Sequence, residues 1–98
     1  MILVREVFSI DPDQMKKAKE LMREYRDMAK KFDHPQPRIM TDLVADHYTL
    51  VMETEFKDMK DFQESLEKAF SAPEWQTFYP NFRKLMRGGR REIYSLLD

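Results

Sequence analysis

The sequence predicts an α+β fold of the order β-α-β-β-α-β, a four-stranded antiparallel sheet with its helices on one face. Three observations carry this. Four short runs, 2–10, 38–45, 48–56 and 90–97, are rich in branched and aromatic residues and short enough to be strands. Between them, apolar residues recur at helical spacing over 15–32 and again from Asp58 onward. Right-handed crossovers then turn that order into a split βαβ arrangement. The 98 residues are read as one domain, 1–98. A domain of this size buries only roughly 60–65% of the surface its unfolded chain exposes. There is no cysteine, so no disulfide supplements the core.

Residues 2–10, ILVREVFSI, alternate Ile2, Val4, Glu6, Phe8 and Ile10 on one face with Leu3, Arg5, Val7 and Ser9 on the other. The first helix is signalled by Asp11 as N-cap, Pro12 at the first helical position and Gln14 reaching back as in a capping box. Ile10 and Met15 are spaced for a hydrophobic staple across that cap. Met15, Ala18, Leu21, Met22, Tyr25, Met28, Ala29 and Phe32 then form one stripe, and a charged, solvated face lies opposite. The turn Asp33-His34-Pro35-Gln36-Pro37 ends the helix. Strands over 38–45 and 48–56 follow as a hairpin joined through Asp46-His47. Tyr48, Leu50, Met52, Thr54 and Phe56 share one face of the second of them. A second helix begins near Asp58, breaks at Ser71-Ala72-Pro73 and restarts at Pro73. Pro80, inside the restarted stripe, predicts a kink or break, and Gly88-Gly89 reads as the helical stop before a last strand over 90–97.

Composition excludes several function classes. Seventeen Lys+Arg against 18 Asp+Glu leave a net charge of −1, which argues against a general affinity for nucleic acid or an anionic membrane. The opening Met1-Ile2-Leu3-Val4 is cut short by Arg5 and Glu6, so neither a secretory signal nor a membrane span is read, and the cytoplasm is the expected compartment. With no cysteine, thiolate nucleophiles and thiolate metal sites are ruled out. His34 and His47 flank the second strand, and eight strand residues span roughly 26 Å, too far for one shared metal. They read as loop histidines. The basic stretch from Arg83 to Arg91 reads as a complement to the helix dipole and a surface for ion pairs. One glycine pair cannot build a phosphate cradle.

A sheet with both helices on one face leaves the other bare. That face carries Leu3, Val7 and Val51, too apolar for water, together with Arg5, Glu53 and Glu55. A second copy of the chain would cover it, so a homodimer is expected. Over essentially its whole length the chain resembles the dimeric α+β barrel superfamily, and it is most similar to the small NIPSNAP-like and antibiotic-biosynthesis-monooxygenase-like members. The stretches RIMTDLVADHYTLVMETEF, SAPEWQTFYPNFRKL and GGRREIY carry the likeness. The resemblance implies ferredoxin-like subunits whose sheets pack face to face as a dimeric barrel. It also implies a cleft between sheet and helices that holds small, often aromatic or polyketide-like, ligands. Cofactor-independent monooxygenases, haem-degrading enzymes and lactone isomerases all occur among such proteins. The haem-degrading branch uses an Asn on the first strand with a Trp and a His on the helices. Here Glu6 stands on the first strand, Trp75 is present, and no His follows His47, which argues against that activity.

Within such a cleft Glu6 is the odd residue on an apolar face. A carboxylate there must be hydrogen-bonded, paired or neutralised, and it is the candidate general acid or base. Tyr25, Tyr48, Trp75 and Tyr79 are the candidate ligand-binding residues, with Met22, Met28, Met52 and Met59 as a deformable wall. The expected function is a small-molecule-binding homodimer with no cofactor or metal, acting as a cofactor-independent monooxygenase or isomerase. The alternative is a non-catalytic dimerisation module.

Overall fold

A computed structural model describes residues 1–98. β1 (Ile2–Ile10) leads through a 3₁₀ turn at Pro12–Gln14 into α1 (Met15–Lys31). β2 (Arg38–Thr41) and β3 (Thr49–Phe56) follow, then α2 (Met59–Phe70), α3 (Pro73–Arg83) and β4 (Met86–Ser95). The strands form one antiparallel sheet in the order β2-β3-β1-β4. The expected α+β architecture is therefore present, and the second helical segment is divided between Phe70 and Pro73 into α2 and α3, as the break read at Ser71-Ala72-Pro73 implies.

Local differences from the sequence reading have local causes. Asp11 makes no side-chain cap. Its carboxylate instead accepts from Arg87 Nε at 2.7 Å, tying the start of α1 to β4, while Pro12 opens a 3₁₀ turn before the α-helix proper. Asp58, by contrast, caps α2 by accepting from the Asp61 amide at 2.8 Å. β2 stops at Thr41, not at residue 45. Residues 42–48 leave the sheet as a loop closed by Asp42, whose Oδ1 accepts from the Thr49 amide at 2.9 Å, and Leu43 and Val44 at its tip are fully exposed. α3 runs on through Pro80 without a break. Pro80 and Gln76 both lie on the solvent side, where water can take the hydrogen bond that the Gln76 carbonyl loses.

Gly88 and Gly89 are strand residues, opposite Ser9 and Phe8 of β1, with no left-handed φ at either. The helical stop lies earlier, at Lys84. Gly89 is needed for close approach, because a Cβ there would stand 2.7 Å from the Val7 carbonyl oxygen, a backbone atom that cannot swing aside. Gly89→Ala is therefore expected to lower stability by about 1–3 kcal/mol. Urea unfolding checks this as a shifted midpoint at unchanged slope.

The helices cover one face of the sheet. The main core joins Ile10, Leu50 and Met52 of the sheet to Ala18, Leu21 and Met22 of α1 and Phe78 and Phe82 of α3. A smaller, separate cluster holds Val4, Phe56 and Phe62, so α2 rests on its own patch of core. The opposite face of the sheet is uncovered in the protomer. One row across it alternates in charge: Arg38, Glu53, Arg5 and Glu92 on β2, β3, β1 and β4. Glu53 bridges Arg38 at 2.8 Å and Arg5 at 3.4 Å. Beside it runs an apolar row of Met40, Val51 and Val7. No helix is long and apolar enough to cross a membrane.

Candidate functional site

The gap between the two core clusters is a cavity of about 230 Å³. It is bounded by β1 and β3 below, the three helices above and β4 at one side, and 19 of its 24 lining residues are apolar. An engineered protein cavity of about 150 Å³ takes up benzene, so this one has room for a somewhat larger ring compound. Strand alternation puts Val4, Glu6 and Phe8 of β1 in the lining and turns Leu3, Arg5 and Val7 to the bare face. One wall is aromatic. Trp75 stacks on Tyr79 at 6.0 Å and meets Tyr25 edge-on at 5.8 Å, with Phe78 at 5.5 Å and Phe70 at 5.9 Å from it.

Few polar groups interrupt this lining. Glu6 accepts a hydrogen bond from Arg91 Nε in an ion pair that joins adjacent strands at opposed register positions. The Arg91 guanidinium also lies 5.2 Å from the Phe62 ring centroid, over the smaller core cluster. Burial, and secondarily the charge of Glu6, push the Tyr25 phenol above its ordinary pKa. His34 Nδ1 lies 2.7 Å from Ser65 Oγ, and both residues line the cavity. His34 Nε2 and Trp75 Nε1 are enclosed and have no hydrogen-bond partner. No group of side chains is arranged to hold a metal ion.

His34 reaches this position through the end of α1. Asp33 adopts a left-handed conformation at φ 57°. The His34 amide then donates back to the Ala29 carbonyl at 2.8 Å, and the Asp33 amide to the Lys30 carbonyl at 3.3 Å. This is the paired hydrogen-bond pattern that closes a helix and reverses the chain. Burial holds the His34 pKa below its ordinary value, with the nearby Lys68 charge acting in the same direction and Asp33 opposing it. A depressed folded-state pKa means that the unfolded chain binds the proton more readily. The contribution to stability is therefore complete above the ordinary histidine value of about 6.5 and is lost as pH falls through the lower, folded value. Thermal unfolding between pH 7 and pH 5 checks this: the melting temperature of His34→Gln should fall less over that range than that of the parent.

Of the residues expected in the cleft, Glu6, Tyr25, Trp75 and Tyr79 line one cavity together. Tyr48 does not. The strand begins one residue later, and left-handed conformations at His47 and Tyr48 (φ 64° and 55°) break the alternation that would have aligned it with Leu50. Its side chain is exposed at the loop end. Met22, Met28 and Met52 are in the wall, joined by Met86, whereas Met59 is exposed at the start of α2. His34, Ser65 and Arg91 are the polar residues that sequence reasoning did not place here. The Asp33 turn was the one local sign for His34.

No protein-family model matches the chain, and no curated protein matches it in sequence. Solved structures do match its shape. A NIPSNAP family protein from Agrobacterium tumefaciens aligns with a TM-score of 0.88 at 17% identity, covering 99% of this chain and 86% of that one. An uncharacterised NIPSNAP domain protein from Burkholderia xenovorans gives 0.87 at 12% identity, over 99% and 95% of the two chains. A proposed antibiotic biosynthesis monooxygenase from Nitrosomonas europaea gives 0.79 at 18% identity over the full length of both. The chain thus has the ferredoxin-like α+β fold shared by NIPSNAP family and antibiotic-biosynthesis-monooxygenase-like proteins.

Proposed function

We propose that the protein binds a small, largely apolar ring compound in this cavity and that Glu6 moves a proton on it. The carrying observation is the cavity itself, an apolar pocket with the Glu6–Arg91 pair and Tyr25 among its ionisable lining groups. A ligand with an acidic C–H or O–H beside Glu6 gives its proton to the carboxylate, and the resulting anion is stabilised by the Arg91 charge. Returning that proton at another carbon is an isomerisation. Addition of dioxygen to the carbanion is the entry to cofactor-independent oxygenation. Both fit an aromatic or polyketide-like ligand, and the fold shared with a proposed monooxygenase supports the second.

Trp75 is the one tryptophan and stands in the cavity wall, so its fluorescence reports occupancy. Titration with tetralin, a bicyclic hydrocarbon, should perturb it saturably. Ala69→Phe, which fills the cavity from α2, should abolish the response. An unsaturable response, equal in the two proteins, would contradict cavity binding and favour a non-catalytic module.

The bare sheet face supports a second element of the proposal, a homodimer. A row alternating Arg38, Glu53, Arg5 and Glu92 is self-complementary under a two-fold axis that runs along the strands between β3 and β1, which sets Arg38 against Glu92 and Glu53 against Arg5 of the other copy. In the neighbouring row Val7 is already buried, so exposed Met40 and half-buried Val51 give the contact its apolar area.

A further inference from the structure

We propose that His34, oriented by Ser65, is the specificity-determining contact for an acceptor oxygen on the ligand, a role that rests on the ligand-binding reading above. The 2.7 Å contact between Nδ1 and Oγ joins the end of α1 to the middle of α2, and both partners belong to the cavity lining. The Ser65 hydroxyl has no other hydrogen-bond partner. If its hydrogen points to Nδ1, every polar atom of the pair is used except Nε2–H. In the other tautomer both the hydroxyl hydrogen and the Nε2 lone pair go without partners. The first arrangement leaves fewer unpaired groups, so Ser65 donates and Nε2 carries the proton.

That N–H is enclosed and has no partner within the chain. Burial keeps the ring toward its neutral form, so Nε2 is a single, directional donor rather than a charge. Trp75 Nε1, which can only donate, is enclosed and unpaired on the same lining. Enclosed donors without acceptors are costly, and two of them on side chains that line one apolar cavity fit a ligand that brings the acceptor. The ligand class is therefore a ring compound bearing an acceptor oxygen, of which a carbonyl is the simplest, and not a bare hydrocarbon. Ser65 is a positioning residue. It fixes the tautomer and the plane of the imidazole, and it makes no claim on the ligand itself.

The test compares 1-tetralone with tetralin, which share a skeleton and differ by one carbonyl oxygen. Affinities are measured by calorimetry for the parent protein, His34→Phe and Ser65→Ala. His34→Phe should weaken 1-tetralone by about tenfold, the net worth of one neutral hydrogen bond. Ser65→Ala should weaken it by a smaller factor, because the imidazole remains but its tautomer and plane are no longer fixed, and both variants should bind tetralin as the parent does. Unchanged tetralin binding also shows that the variants fold and keep the cavity. Nitrogen NMR of the parent should show the Nε2–H tautomer, and Ser65→Ala should lose that bias. If both probes weaken equally, or if neither weakens, His34 does not read the oxygen, while the cavity reading stands. An Nδ1–H tautomer in the parent would leave Nε2 without a proton and overturn the donor role of His34 together with the positioning role of Ser65. Failure of both probes to bind the parent protein overturns the inference together with the reading on which it rests.

Discussion

Glu6→Gln is expected to reduce enzyme-catalysed proton exchange on an enolisable ring ketone by about 10²–10⁴-fold, the usual contribution of a positioned acid–base group. The substitution keeps the side-chain shape while removing the charge that pairs with Arg91. The α-hydrogens of 1-tetralone offer a direct readout, because their replacement by deuterium from the solvent is followed by NMR without knowledge of the natural substrate. Three results together make the case: exchange above the buffer rate in the parent protein, its loss in Glu6→Gln, and retention of tetralin binding in that variant. Exchange no faster than in buffer would remove Glu6 from the chemistry and leave a binding protein. A loss of binding alongside exchange would instead mean that the Glu6–Arg91 pair holds the cavity open. Arg91 bonds Glu6 and overlies Phe62, so it joins the floor of the cavity to α2's patch of core.

Val51→Lys is expected to convert the proposed homodimer into a folded monomer. Val51 lies on an inner strand of the bare sheet face, opposite Val7 on one side and Met40 on the other. In a lone protomer the lysine reaches water and costs little. Across an apolar contact it buries an unpaired charge, which costs about 2–5 kcal/mol and raises the dissociation constant by roughly 1.5 to 3.5 decades. Light scattering over a dilution series measures this. A parent protein that is monomeric at every concentration would remove the dimer from the account, and a variant as tightly paired as the parent would move the interface elsewhere.

The fold was legible where burial imposes a period. In β1 the alternation of Val4, Glu6 and Phe8 against Leu3, Arg5 and Val7 survives in the structure, because one face meets helices and the other does not. The α1 stripe is equally faithful, with Ala18, Leu21, Met22 and Ala29 all buried. Legibility fails where one residue type serves two purposes. Gly88-Gly89 looks like a helical stop, yet Gly89 is there because the Val7 carbonyl leaves no space for a side chain. Leu43 and Val44 have strand-forming composition, but beyond Thr41 they have nothing to bury against and sit in the loop that Asp42 closes.

The site divides along the same line. Glu6, Tyr25, Trp75 and Tyr79 were readable because strand alternation or helical spacing turns each toward the space between sheet and helices. Tyr48 fits the alternation on paper and loses it to two left-handed residues. Arg91 and Ser65 had no local signal. They enter the site through pairings with residues 85 and 31 positions away, which only the folded chain brings together.

The eight methionines provide the most direct test of the ligand-binding cavity. Met22, Met28, Met52 and Met86 line it, and Met1, Met15, Met40 and Met59 do not. With methyl-labelled methionine, titration of the protein with 1-tetralone should shift the first four resonances saturably and leave the others in place. Shifts centred on Met40 or Met59, or no saturable shift at any methionine, would contradict the account.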